Sequence, residues 1–149
     1  MFLTVHSLVA LTSTKYISNP LILFGVNFIF HYILDSIPHG DGNDIEKGFK
    51  KKNLNYFILA SLDFIFVIII SFNFYQIYKP PINNILFAIL GAILPDILWG
   101  IYYVTKFKIL KWADDLNLFA HQIIKYKPHY ILEYSFQLIP IIICYLLLK

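Results

Sequence analysis

The sequence predicts an all-α integral membrane protein, a helical bundle of about four to five transmembrane helices with one interfacial amphipathic helix. Composition gives the first reason: 58% of the residues are hydrophobic, 14% are charged, and the mean hydropathy is +0.66. A chain of 149 residues with this composition is too apolar for a water-soluble domain. The second reason is a set of four apolar runs, each close to the roughly 20 residues that a helix needs to cross the hydrocarbon core.

The apolar runs and the breaks between them define the helices of a single domain, residues 1–149. The first segment is short for a span, and we interpret it as retained because it lacks the basic start and cleavage site of a signal peptide. Asn19 and Pro20 follow it, and proline is favoured in the first turn of the next helix. The predicted helices cover about residues 2–17, 20–38, 54–78, 82–105, 112–126 (interfacial) and 129–148.

Lysine sets the predicted orientation. All 12 basic residues are lysine, and most lie in two stretches between helices, residues 47–52 and 106–127. The positive-inside rule places both stretches in the cytoplasm, which gives a multi-pass protein of the inner (cytoplasmic) membrane with a cytoplasmic amino terminus. The net charge of +3 then indicates contact with anionic lipid and no nucleic-acid partner. The single cysteine, Cys144, provides neither a disulfide nor a thiolate metal site.

Ionisable residues inside the predicted helices are the informative ones. Each costs about a few kcal/mol at bilayer depth and is retained mainly for function or for a specific partner. His31, Asp35, Asp63 and Asp96 are of this kind. His31 and Asp35 are separated by one helical turn, so both side chains lie on one face and can bind one ion.

Depth in the bilayer indicates which of these side chains can share a site. Counting from the turn at residues 19–20 places His6 and His31 at nearly one level, roughly 20 and 17 Å along their helices. Asp63 and Asp96 both fall in the cytoplasmic half of their own helices. We therefore expect these side chains to converge on one polar pocket near the cytoplasmic face.

The mixture of nitrogen and oxygen ligands predicts a divalent metal. Imidazole and carboxylate together suit zinc, or else manganese or iron, better than calcium or magnesium, and either one or two ions fit. His121, on the interfacial helix, can fold back over the pocket. Structural alternatives remain open, such as a buried hydrogen bond for Asp63 and repair of the helix that Pro95 breaks for Asp96. The candidate ligands are His6, His31, Asp35, Asp63, Asp96 and His121, with His39 and Asp41 as further candidates.

A resemblance to a known family rests on five parts of the sequence. They are His6, the string HYILDSIPHGD at residues 31–41, Asp63, the string GAILPD at residues 91–96, and His121. These residues resemble the YdjM-type family of small inner-membrane metal-dependent hydrolases, multi-helix proteins that are likened to zinc-dependent phospholipases. The resemblance spans most of the chain. It implies metal-ligand roles for His6, His31, Asp35, Asp96 and His121, with Asp63 as a further acidic member of the site.

The expected function is hydrolysis of a phosphoester, in a lipid or a lipid-linked phosphate, by a metal-activated water. Asp63 is the expected general base, and His121 is expected to protonate the leaving group. Membrane lipid is the expected partner, and the oligomeric state is left open. The alternatives are a small proton- or cation-coupled transporter or channel, and a non-catalytic membrane scaffold. Transport is disfavoured because the outer parts of two helices, residues 64–71 and 82–92, contain no ionisable residue.

Overall fold

Helices make up all the regular secondary structure in the part of the chain that the computed structural model describes, residues 1–39, 54–124 and 135–149. The predicted all-α class is confirmed for these residues. A short 3-10 helix, Lys108–Leu110, precedes the fifth α-helix. The α-helices are α1 (Leu3–Ser13), α2 (Pro20–Asp35), α3 (Leu54–Tyr78), α4 (Ile82–Thr105), α5 (Lys111–Ile123) and α6 (Leu138–Leu148).

Local chemistry explains where α1 ends and where α2 begins and ends. The side-chain oxygen of Asn19 caps α2, because it accepts hydrogen bonds from two backbone N–H groups of the first turn. α2 ends at Asp35 and not at residue 38 as predicted, since Pro38 disfavours helical backbone in the residue before it. α1 ends before residue 17, at a point where the hydroxyl groups of Ser13 and Thr14 bond to carbonyls one turn back.

α1 lies at the centre of the bundle, in contact with α2, α3, α4 and α6. Its Ala10 packs with Leu23 of α2 and with Ala88 and Ala92 of α4 in one apolar core. Small side chains at these positions let the helices approach closely. A polar side chain on a helix with so many neighbours needs a partner, because an unpaired polar group is costly to bury. His6 is such a side chain and is 1% exposed.

α2 and α4 approach each other closely at Gly91. A Cβ atom added at Gly91 would lie 2.3 Å from the backbone oxygen of Phe24, so only glycine permits this contact. The contact fixes α2 against the part of α4 that carries Pro95 and Asp96. Two candidate metal ligands on different helices, His31 and Asp96, are therefore brought to one level.

Two described helices are long and apolar enough to cross a membrane, Ile58–Tyr78 within α3 and Ile82–Thr105, which is α4. Only 11% and 28% of their most apolar windows are buried, whereas the core helix of a soluble protein would be mostly buried. α1, α2 and the described part of α6 are apolar but shorter. The structure thus supports two spans, fewer than the four to five that the sequence predicts. Residues 129–134 of the last predicted helix lie outside the described residues.

One end of the bundle is closed by contacts to the last carbonyl groups of α6. The Lys15 ammonium group and the Tyr16 hydroxyl group donate to the Leu147 oxygen, at 3.2 and 2.9 Å. The Tyr78 hydroxyl group donates to the Leu148 oxygen at 3.2 Å. These bonds place the C-terminal ends of α1, α3 and α6 together. The candidate ligands lie toward the opposite end, along the N-terminal part of α1 and the C-terminal part of α2.

Candidate metal centre

Among the described residues, the structure gathers four histidines and two aspartates into two neighbouring groups. In each group, one nitrogen or carboxylate oxygen from every member lies within 4.8 Å of the others. Five of the six predicted ligands belong to these groups, together with His39. The first group is His6, His31 and Asp96, and the second is Asp35, His39 and His121.

Asp35 joins the two groups. Its Oδ1 atom lies 3.1 Å from His6 Nε2, and its Oδ2 atom lies 3.1 Å from His31 Nε2. Its Oδ1 atom is also 3.6 Å from His39 Nε2. Because Asp35 is the last residue of α2 and its side chain is only 2% exposed, this carboxylate is held within the protein and faces three imidazole rings. A carboxylate in this position would serve either as a metal ligand or as a group that orients the ligand histidines.

The tautomer of His31 follows from its hydrogen bond to α4. Its Nδ1 atom lies 2.8 Å from the backbone oxygen of Ala92, which can only accept, so Nδ1 carries the hydrogen. In the neutral ring the lone pair is then on Nε2. This atom is 3.1 Å from an oxygen of Asp35 and 3.5 Å from an oxygen of Asp96, and it makes no hydrogen bond to the described residues. A lone pair that faces two carboxylates needs a cation between them, either a proton or a metal ion.

His39 and His121 are oriented in the same way as His31. Nδ1 of His39 donates to the Ile37 oxygen at 2.6 Å, and Nδ1 of His121 donates to the Asn117 oxygen at 2.9 Å. Each ring therefore has its lone pair on Nε2, which is the usual arrangement of metal-binding histidines. In His39 this lone pair accepts from the amino group of Met1. Burial lowers the pKa of His121, on α5 outside the apolar spans, so its ring is neutral at pH 7 and able to bind a metal.

His6 brings α1 into the cluster. Its ring stacks on that of His31, with the ring centres 4.2 Å apart, as expected from their predicted common depth. A hydrogen on Nε2 can be donated to Asp35, which leaves the lone pair on Nδ1. That Nδ1 atom is buried and has no hydrogen-bond partner among the described residues. His6 therefore has a nitrogen available for a metal ion.

The amino group of Met1 also meets the cluster. It lies 2.8 Å from Asp35 Oδ1 and contacts His39 Nε2. Imidazole nitrogens and carboxylate oxygens within 4.8 Å of one another are ligands that zinc, manganese and iron accept, so the residues present fit a divalent metal in ligand type.

Asp63, by contrast, belongs to neither group. Its Oδ2 atom accepts from the backbone N–H of Leu3 at 2.7 Å, and its Oδ1 atom accepts from the backbone N–H of Thr4 at 3.1 Å and from the Thr4 hydroxyl group. The carboxylate thus caps the N-terminus of α1, where the first N–H groups have no partner within the helix. This is the structural alternative that the sequence left open for Asp63. Asp41 lies outside the described residues.

Sequence reasoning did not identify two features of the centre. One is the Ala92 carbonyl that orients His31. It carries no side-chain signal, although it lies one turn before Asp96 and close to Pro95, which lies inside the continuous helix α4. The other is the indole of Trp99, which donates to Asp114 at 3.1 Å and so ties α5, with His121, to α4. We compared the chain with protein-family models, with curated proteins and with solved structures, and none of the three comparisons gives a match. The resemblance to the YdjM-type family therefore stays a prediction.

Proposed function

We propose that this protein is a membrane-embedded, metal-dependent hydrolase that cleaves a phosphoester close to the cytoplasmic face of the membrane. The single observation that carries the proposal is the pair of ligand groups joined by Asp35, in which the His31 lone pair faces two carboxylates. Such an arrangement of imidazole and carboxylate is unfavourable without a cation. It also resembles the carboxylate-linked sites that activate water in hydrolases.

The membrane setting is part of the proposal. α3 and α4 are the long apolar helices, and the shorter apolar helices α1, α2 and α6 complete a bundle of four to five segments. Large apolar side chains are exposed along α3, among them Phe66, Ile68 and Phe72. Exposure of so continuous an apolar surface to water is unfavourable, whereas contact with lipid chains is not. The lysine-rich connections then put the ligand cluster at the cytoplasmic side of an inner membrane.

The metal would be held by residues from five parts of the chain. Zinc is the ion we favour, since nitrogen ligands outnumber the carboxylates, and manganese or iron are the alternatives. A divalent ion supplies Lewis acidity: it makes water a better nucleophile and neutralises charge on phosphoryl oxygens. The proposed ligands are His6 of α1, His31 and Asp35 of α2, His39 after α2, Asp96 of α4 and His121 of α5.

The exposure of the cluster residues indicates where a substrate enters. Asp35 and His31 are almost completely enclosed, whereas the Asp96 side chain is 29% exposed and His121 is half-buried. A phosphoester would therefore approach between α4 and α5. Asp96 is the accessible carboxylate that can accept a proton from an attacking water. His121 lies at the same opening and is kept as a metal ligand only, because its neutral ring donates its one hydrogen to the Asn117 oxygen. The general-base role expected for Asp63 is not retained, because both of its oxygens are engaged by α1.

The test is a hydrolysis assay on the full chain purified in detergent and reconstituted in turn with zinc, manganese and iron. Phosphate monoesters, phosphodiesters and phospholipids serve as substrates. We expect metal-dependent release of product by the parent and none by the His31→Ala, Asp35→Ala double variant. Asp115→Asn is the matched control, since Asp115 is an exposed carboxylate paired with Lys111 on α5. Equal turnover by the parent and the double variant, or no turnover of any phosphoester with any of the metals, would overturn the proposal.

A further inference from the structure

A cavity that none of the cluster residues lines lies beside the N-terminal part of α1. It is a groove of about 410 Å³ between the N-terminal part of α1, the middle of α3 and the start of α6. This volume is within the usual range for ligand sites, which are mostly apolar with a few placed polar groups. Its apolar walls include Phe2, Val5, Leu62, Phe66, Leu138 and Ile141.

The polar groups of the groove leave one donor without a partner. The Asp63 oxygens and the Thr4 hydroxyl group bond to each other or to the start of α1. The side-chain oxygen of Gln137 accepts from the backbone N–H of Phe2 at 3.1 Å. Gln137 is only 4% exposed, yet its Nε2 atom has no hydrogen-bond partner among the described residues. A buried N–H group without a hydrogen-bond acceptor is costly, so a ligand of this groove should supply one acceptor atom.

The surroundings of the groove indicate what that ligand is. α3 forms one wall and is the least buried of the long apolar helices, so in the proposed membrane setting the groove opens toward lipid. A hydrocarbon chain matches its aliphatic and aromatic walls. The ester carbonyl of a glycerolipid supplies an acceptor at the end of such a chain. We propose that the groove binds one acyl chain of a glycerophospholipid, whose ester carbonyl accepts a hydrogen bond from Gln137 Nε2.

If the lipid bound in this groove is the substrate, the inference rests on the proposed hydrolase function. The first turns of α1 contribute to both sites: Val5 lines the groove, whereas His6, the next residue, lies in the ligand cluster. An acyl chain in the groove would hold its headgroup at the end of the bundle where the cluster lies. The inference thus narrows the substrate class from phosphoesters in general to glycerophospholipids.

The experiment is photo-crosslinking in vesicles of phosphatidylethanolamine and phosphatidylglycerol that contain a phosphatidylglycerol with a diazirine in one acyl chain. Labelled residues are located by peptide mass spectrometry, and metal content is measured on the same samples. Leu62→Trp fills the groove. Gln137→Glu keeps the oxygen that accepts from Phe2 and removes the donor. Ile68→Trp is the matched control, because Ile68 is exposed on α3 but does not line the groove.

We expect labelling to concentrate on groove residues of α3 and α6 in the parent and in Ile68→Trp. It should fall roughly fivefold in Gln137→Glu, the effect of about one hydrogen bond, and further in Leu62→Trp. Labels spread evenly over the exposed faces of the helices, at the same level in all variants, would overturn the lipid site. Bound metal without groove labelling would contradict this inference alone. Groove labelling without any bound metal would contradict the proposed hydrolase and leave the lipid site standing.

Discussion

α1 meets an aspartate on each of two sides, and the two aspartates have different neighbours. Asp63 of α3 faces N–H and hydroxyl donors at the start of α1, so its charge is satisfied by the helix that it caps. Asp35 of α2 has donors on its Oδ1 atom, but its Oδ2 atom faces Nε2 of His31, which bears a lone pair in the neutral ring. Both oxygens of Asp63 are satisfied by donors, as in a helix cap. An oxygen of Asp35 faces an acceptor and therefore requires a cation, which is why we assign the two residues different roles.

The largest effect that separates the two sides is expected from Asp35→Asn. This change keeps the size of the side chain but removes the charge that links the two ligand groups. Metal affinity should fall by more than about 100-fold, since even changes to residues that only orient ligands cost about 10- to 100-fold. Titration of metal-free protein with zinc measures it. An affinity equal to that of the parent would mean that Asp35 is not part of a metal site.

Gly91→Ala should disturb the ligand cluster on the Asp35 side of α1 by changing the packing of α2 against α4. The new Cβ atom would lie 2.3 Å from the Phe24 oxygen and would push α2 away from α4, which disturbs the His31 hydrogen bond to neighbouring Ala92. We expect a loss of about 1 to 3 kcal/mol in stability and weaker metal binding. Thermal unfolding in detergent measures the stability, and zinc titration measures the metal affinity. Gly100→Ala is the control on the same helix, because nothing lies within 4 Å of its added Cβ. Equal stability of the two variants would contradict the close helix contact.

Asp63→Asn tests the other side of α1. Loss of the charged cap should cost about 1 kcal/mol of stability and leave the number of bound metal ions unchanged. Thermal unfolding and elemental analysis of the same preparation give both quantities. A fully folded Asp63→Asn protein that binds no metal would place Asp63 in the metal site and remove the distinction drawn here between the two aspartates.

The smallest effect is expected far from both aspartates. Tyr78→Phe removes the hydrogen bond from the Tyr78 hydroxyl group to the Leu148 oxygen at the closed end of the bundle. Because this bond is exposed, its loss should cost less than about 1 kcal/mol and should change neither metal affinity nor turnover. A large loss of metal in this variant would show that the two ends of the bundle are coupled.

Much of the cluster is predictable because helix periodicity is local. The separation of His31 and Asp35 by one turn places them on one face of α2, and counting residues from the turn at 19–20 brings His6 level with His31. The structure agrees with both, with the rings of His6 and His31 stacked. Pro95 similarly marks the part of α4 where Asp96 and the Ala92 carbonyl meet α2.

The partner of Asp63 is not predictable in the same way. The sequence places Asp63 in the cytoplasmic half of its predicted helix, but depth alone does not tell which face of α3 it occupies relative to α1. The hydrophobic pattern of α3 gives no help, because nearly every residue around it is apolar. Packing between distant parts of the chain decides which helix Asp63 meets. The number of spans stays a prediction, since α1 and α2 are apolar but have 11 and 16 residues, fewer than the roughly 20 of a full span.

The most direct test of the account is elemental analysis of the purified protein after reconstitution with zinc, manganese or iron. The parent, Asp63→Asn and the His31→Ala, Asp35→Ala double variant are measured side by side. We predict about one or two equivalents of metal in the parent, at most one for each ligand group. The same amount is expected in Asp63→Asn and none in the double variant. No bound metal in the parent with any of the three ions would contradict the account, and the cation that His31 shares with Asp35 and Asp96 would then be a proton.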